Sequence, residues 1–349
     1  FFELDGNSTL VTFRDMEFRN GLDSNDPGGA IETDADLLTL ERTVFRNCVT
    51  EDAFGGAIHN REDIEVYASL FIDCKAFGND GANGGGGGGG GLAGGGAICS
   101  WSNTSTMLEN CTFVGCVAEG GQGGNALGGG GGGNGGDGIG SFGGGGDGGD
   151  VSSNQNNTDA SAAGFGGGGG GGGTYTGGLW GGGPSGGDAT IGLGLGGDGG
   201  DGTATFPGSG GGGGALGGGL FMRSGTATVR HCTFSGNSAI GGLAGTGGQE
   251  GDHGEGRGGG IGCYGGELSL DNTILYDNPG GTSGGNEDLY HFLGTEVVAT
   301  VGHNIIGVAD ADIAFNAAVV GNQIGVDPVL LPFGAVSYTH LTLPTSNDV

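Results

Sequence analysis

The chain has 349 residues, 98 of them glycine, and a formal charge of −30 from 39 acidic and 9 basic side chains. The glycines follow no strict Gly-X-Y period, which excludes collagen. The acidity is the wrong sign for a nucleic-acid or membrane-surface binder. No apolar run reaches the roughly 18 residues of a membrane helix.

The chain begins at Phe1 rather than Met, which reads as a fragment lacking its N-terminus. Internal repeats then dominate. Phe18, Phe45, Phe71, Phe113, Phe234 and Leu275 anchor six copies. Five residues before each anchor stand Phe13, Leu40, Val66, Leu108, Val229 and Leu270; seven before stand Val11, Leu38, Ile64, Thr106, Ala227 and Leu268. Two before stand Met16, Thr43, Ser69, Cys111, Cys232 and Thr273; three after stand Gly21, Cys48, Cys74, Cys116, Asn237 and Asn278. Alternation of apolar and polar residues predicts strands with one buried face. The break of phase between five and two before the anchor predicts a bend between two short strands. A third strand is expected at Gly28–Ile31, Gly55–Ile58, Gly95–Ile98, Gly218–Phe221 and Gly259–Gly262, each opening on a Gly-Gly corner. Three short strands and Gly-marked corners describe one coil of a parallel β-helix, and six to eight coils are expected. The six anchors should stack in one interior column.

Successive anchors lie 27, 26, 42, 121 and 41 residues apart. The excess falls after the anchor and before the Gly-Gly corner, which predicts insertions at 77–93, 119–216 and 240–257 on one side of a stacked solenoid. The 119–216 insertion is about half glycine. It reads either as a flexible loop or as a bundle of extended glycine helices with three residues per turn, packed closely because nothing projects from the backbone. The expected organisation is coils over 1–118, the insertion over 119–216, coils again over 217–278, and final coils with a closing segment over 279–334. Residues 335–349 break every pattern and resemble translated adapter sequence rather than native chain.

The repeats resemble the polymorphic-outer-membrane-protein type of bacterial surface β-helix proteins, which share the pectin-lyase-like fold. Thr233 to Ala239 reads Thr-Phe-Ser-Gly-Asn-Ser-Ala and Gly55 to Ile58 reads Gly-Gly-Ala-Ile, the usual form of that repeat. Gly302 to Gly307, with Gly325 to Leu330, is similar to the closing segment of choice-of-anchor surface proteins. Cysteine replaces the usual asparagine at Cys48, Cys74 and Cys116. The resemblance implies a right-handed, single-stranded parallel β-helix and a place at the bacterial surface.

The seven cysteines are assigned to three columns: Cys48, Cys74 and Cys116; Cys111 and Cys232; and Cys99 with Cys263, Met222 lying between. They read as ladders of buried small thiols. No C-x-x-C pair of the zinc type occurs. A lyase would need basic residues, and the chain has one lysine, Lys75, and eight arginines. A hydrolase would need paired carboxylates at a groove. Asp73 and Asp277 are expected three coils apart, and Glu41, Glu109 and Asp271 at an outward turn, both as surface charge. His59 and His231 are expected to pack or hydrate in their columns. Asp147, Asp150, Asp198 and Asp201 stand in two Gly-Gly-Asp-Gly-Gly-Asp runs that fit part of a calcium nonapeptide without its tandem repetition. The cluster of Glu250, Asp252, His253 and Glu255 reads as a solvated loop. Outward rows for an ice or crystal binder are interrupted, since Thr12, Thr39 and Thr228 share their column with Glu65, Met107 and Ser269.

The reading is an all-β, glycine-rich repeat protein of the parallel β-helix type. Its expected role is an extracellular or cell-surface structural or adhesive scaffold with no catalytic, cofactor or metal site. Surface polysaccharide or a neighbouring cell surface is the expected partner. A carbohydrate-binding or polysaccharide-degrading β-helix protein is the alternative.

Overall fold

A computed structural model describes residues 1–4, 9–24, 26–101, 104–127, 135–136, 144–147, 163, 167–171, 195–201, 206–282, 285–292, 298–310 and 321–330. Asp150 and the tail 335–349 lie outside this set. The described residues contain strands and no α-helix, and all the strands pair in parallel.

The chain visits four sheets in turn and then returns to the first, one strand further along. The first sheet stacks Phe2–Leu4, Ile31–Thr33, Ile58–Asn60, Ile98–Ser100, Leu220–Met222, Ile261–Cys263 and Leu289–His291. The second has seven strands, from Leu10–Arg14 to Val298–Gly302, and the third has eight, from Glu17–Arg19 to Gln323–Ile324. The fourth has six, including Val49–Thr50, Lys75–Phe77, Val117–Glu119 and Ser238–Ile240. Such stacking is compatible with a parallel β-helix or solenoid. Six turns of the chain hold a fourth strand that the three-strand reading lacked. It spans only two or three residues, too few for alternation to show.

The bends have one cause. The residue three before each anchor is left-handed: Asp15, Arg42, Ala68, Asn110, His231 and Asn272 have φ between 48° and 57°. The residue two after it, at Asn20, Asn47, Asp73, Gly115, Gly236 and Asp277, is left-handed as well. Short polar residues and glycine tolerate that conformation best, which explains their frequency there.

The anchors form one interior column. Phe18 pairs with Phe45, Phe45 with Phe71, Phe71 with Phe113, Phe113 with Phe234, and Phe234 with Leu275. Successive rings lie 4.6, 4.9, 4.6 and 4.4 Å apart at an interplanar angle of 2°. Ile306 extends the column below Leu275. Ile31, Ile58, Ile98, Leu220, Ile261 and Leu289 face the same interior from the first sheet.

Two polar ladders run beside this core. Asn237 Oδ1 accepts the backbone N–H of Cys116 at 3.0 Å, and Asn278 Oδ1 accepts that of Asn237 at 3.1 Å. Asp288 Oδ1 accepts that of Asn278 at 2.8 Å. In the column two before the anchor, Ser69, Cys232, Thr273 and Asn304 each accept an N–H from the strand above. Each side chain thus satisfies a backbone donor at a bend, where the regular ladder leaves one over.

All seven cysteines are buried free thiols. One column assignment is corrected. Cys99 pairs with His59 and Phe221, whereas Cys263 pairs with Met222, so the two face opposite sides of the first sheet. Gly217–Gly219 and Gly258–Gly260 are glycine triplets, and alignment on a Gly-Gly pair slips there by one residue. A slip of one reverses every side chain.

The inserted segments lie against one another. Ala93–Gly94, Ala215–Leu216 and Gly256–Arg257 form a three-stranded parallel sheet. Beyond it, hydrogen bonds recur at steps of three residues. Gly78, Gly81 and Gly84 donate to Glu119, Gln122 and Asn125; Gly121 and Gly124 to Gly91 and Gly88; Gly213 and Gly210 to Gly121 and Gly124; and Gly242 and Gly245 to Gly213 and Gly210. A three-residue turn is that of the polyproline II helix, whose own backbone makes no internal bonds and so is free to bond neighbours. The described part of the glycine-rich tract is therefore a cross-bonded layer of glycine helices rather than a loose loop. Buried Ala93, Ala118, Ala215 and Ala239 pack it on the fourth sheet.

Candidate functional site

Where the fourth sheet gives way to the glycine layer, the surface forms an open groove of about 430 Å³. Glu51, Phe77 and Glu119 follow one another down successive strands: Phe77 pairs with Glu119, and Ala76 beside it with Thr50, the neighbour of Glu51. At about 4.8 Å per strand, the two glutamates stand roughly 9.6 Å apart at Cα with the aromatic ring between them. The ring is half-buried, Glu51 is exposed and Glu119 half-buried. Asn79, Asp80 and Gln122 line the adjoining wall. The Asn79 amide donates to Asp52 at 3.3 Å, and Asp80 Oδ1 accepts the Gln122 N–H at 2.7 Å. Gly78 and Gly120 are buried and contribute no side chain, which keeps the groove shallow and open. The arrangement offers an apolar face flanked by hydrogen-bond acceptors and amides. Sequence reasoning missed it, because Glu51, Phe77 and Glu119 meet only through strand register.

A second concentration of chemistry lies on the outer face of the first sheet. Glu32, His59, Cys99, Phe221, Gly262 and Tyr290 form one outward column. A second apolar cluster covers its middle: Phe54, Leu92, Leu195 and Leu216 from the connections and the glycine layer meet Cys99, Trp101 and Phe221 from the sheet. His59 is fully buried at the edge of that cluster, 5.7 Å from the Trp101 ring. Its Nδ1 lies 3.6 Å from Glu32 Oε1, within ion-pair reach but beyond a hydrogen bond. Neither ring nitrogen has a hydrogen-bond partner among the described residues. Arg61 holds Glu32 at 2.7 Å and reaches Asp34 at 3.5 Å. Burial pushes the proton affinity of His59 down; Glu32 opposes that effect.

The other singled-out residues do not converge. Glu41 and Glu109 flank Tyr67 in one column, with Arg230 and Asp271 beyond, and Glu41 pairs with Arg14 at 2.8 Å. Asp147 Oδ1 accepts the Gly135 N–H. His253 Nδ1 accepts the Ala244 N–H, and Glu255 pairs with Arg257 at 2.9 Å. His231 is exposed at a left-handed bend. No group of three or more His, Cys, Asp or Glu side chains able to hold a metal occurs among the described residues. No described helix is long and apolar enough to cross a membrane, which says nothing of β-barrels.

Comparison with known proteins gives no match, whether to a family model, a curated protein or a solved structure.

Proposed function

We propose that the chain is a right-handed parallel β-helix of the bacterial surface-repeat type, with its glycine-rich insertions leaving at one turn. In this reading it serves outside the cell as an adhesive scaffold without turnover. The observation that carries the reading is the joining of the coil stack to the glycine layer. Backbone hydrogen bonds at three-residue steps and the second apolar cluster fix that layer to the stack. The result is a broad surface held in place by stacked side-chain ladders, the support a binding surface needs.

The groove beside Phe77 is the place where this surface would meet a glycan. A pyranose has an apolar C–H face and a polar rim. Phe77 supplies the face, and Glu51, Glu119, Asn79 and Gln122 supply the rim contacts. The carboxylates turn away polyanions such as uronates, so the partner is a neutral polysaccharide. One feature supports an enzyme as the second reading: glutamates with Cα atoms roughly 9.6 Å apart can bring their carboxyl groups to the roughly 6.5–9.5 Å of inverting glycosidases.

Calorimetry with cellohexaose, chitohexaose and hexagalacturonate tests both readings. The expected result is binding of a neutral hexamer without cleavage, lost at least tenfold in Phe77→Ala, and no binding of the galacturonate. Release of shorter sugars would replace the scaffold with the enzyme. Binding of no neutral hexamer, or binding indifferent to Phe77→Ala, would remove the groove from the account.

A further inference from the structure

We infer that the seam between the first sheet and the glycine layer is an acid-released latch, with His59 as its sensing group. The inference is independent of any glycan.

First, His59 occupies an outward column yet is fully buried, with its ring against Trp101 at the edge of the second apolar cluster. Second, both ring nitrogens lack hydrogen-bond partners among the described residues. Third, the groups around the ring offer a proton a single carboxylate that is already shared. On the strand above, Glu32 is the one carboxylate within reach, and Arg61 already occupies it. Asp34 is engaged by the same guanidinium. Below stand the Cys99 thiol and the Trp101 ring, whose centroid lies 4.6 Å from the Arg223 guanidinium carbon. Two cations therefore flank the site, and a protonated imidazole would be a third. Fourth, the ring adjoins Trp101, which packs 4.7 Å from Phe54 in the cluster shared with Leu92, Leu195 and Leu216. Movement at His59 is transmitted directly to the contacts that hold the glycine layer.

Burial lowers the proton affinity of His59, so the closed seam keeps the ring neutral. The open seam gives the ring back to water, where it titrates near 6.5. The closed form is fully favoured above that value and loses its advantage as pH falls below it. A buried imidazolium with an unpaired N–H is costly, and opening the seam relieves it. This window lies above the ordinary carboxylate range of about 4, so acidification to pH 5 addresses the seam before most of the 39 acidic side chains.

Hydrogen exchange read by mass spectrometry tests the latch on the full chain at pH 7.5 and pH 5, with rates corrected for intrinsic chemistry. Peptides spanning Leu92–Ser100 and Leu216–Met222 should lose protection at least tenfold at pH 5. Peptides through Phe45 and Phe71 should hold theirs. In His59→Leu, whose apolar side chain suits the covered column, the seam should stay protected at both values. Glu32→Gln removes the carboxylate that favours the charged ring in the closed seam, widening the gap between closed and open proton affinities, and should move the opening midpoint to higher pH. The wild-type imidazole, followed by NMR, should stay neutral at pH values where the seam is still closed. A seam equally protected at both pH values would overturn the inference. So would a loss shared equally by the Phe45 and Phe71 strands, or an acid response that persists in His59→Leu. If His59→Leu does not fold, the NMR titration and Glu32→Gln decide: a ring that charges at or above pH 6.5 inside a closed seam refutes the latch.

Discussion

Replacing Asn237 by alanine removes the link that joins three successive turns of the chain. Its Nδ2 donates to the Phe113 carbonyl at 3.0 Å and to Asn278 Oδ1 at 2.8 Å, and its Oδ1 accepts the Cys116 N–H at 3.0 Å. The side chain is fully buried, so no bulk water replaces those bonds in place. Asn278 Oδ1 keeps the backbone N–H of residue 237, so the Cys116 N–H and the Phe113 carbonyl are the groups that lose this partner; at about 1–3 kcal/mol for each buried group left unpaired, the cost is roughly 2–6 kcal/mol. Cys74 and Cys116 fill the same column, and the Cys74 thiol lies 3.7 Å from the Phe45 carbonyl. Asn237→Cys should therefore cost about half as much as Asn237→Ala. Urea unfolding at constant m-value measures both. An alanine cost below about 1 kcal/mol, or a cysteine variant no better than alanine, would show that the ladder is incidental to stability.

Four further outcomes are expected. Phe113→Ala empties the space between rings 4.6 and 4.4 Å away and should cost about 3–5 kcal/mol by the same urea assay. In Gly213→Ala the new Cβ runs into the Gly91 carbonyl oxygen, so amide exchange should accelerate in the glycine layer while the Phe45 and Phe71 strands stay protected. Burial pushes the Cys263 thiol up to about 12 and raises Cys74, Cys99 and Cys232 as well; iodoacetamide at pH 8 should label none of these four until denaturant is added. Burial raises Asp288 above its ordinary value, so its contribution to stability is present at low pH and fades as pH rises through the folded value. Wild type should gain stability over Asp288→Asn as pH falls from 6 to 3, and parallel stability curves for the two proteins would count against that burial effect.

The groove and the seam divide the chemistry of the surface. One is open, centred on an aromatic ring, and read by ligand binding. The other is closed, centred on a buried base, and read by pH. Because Phe77 and His59 sit on different sheets, Phe77→Ala and His59→Leu should act independently.

The sequence by itself determined the repeat, the interior column and the bends. A solenoid places residues of equal repeat position on top of one another, so a periodic pattern in one dimension is already a contact map. That is why Phe18 through Leu275 could be stacked from spacing alone, and why the phase break before each anchor marked a left-handed residue. It failed where the letters carry no phase: a third glycine at Gly217–Gly219 put Cys263 in the column of Cys99, and strands of two or three residues left the fourth sheet unseen. Tertiary structure alone decided the rest. Gly213 bonds to Gly121 and Gly242 to Gly213 across gaps that no local pattern spans, since a glycine helix shows its partners only by backbone contact. The burial of Cys99 and Phe221 arises the same way, from Leu92, Leu195 and Leu216 arriving out of distant insertions to cover a face that the repeat marks as outward.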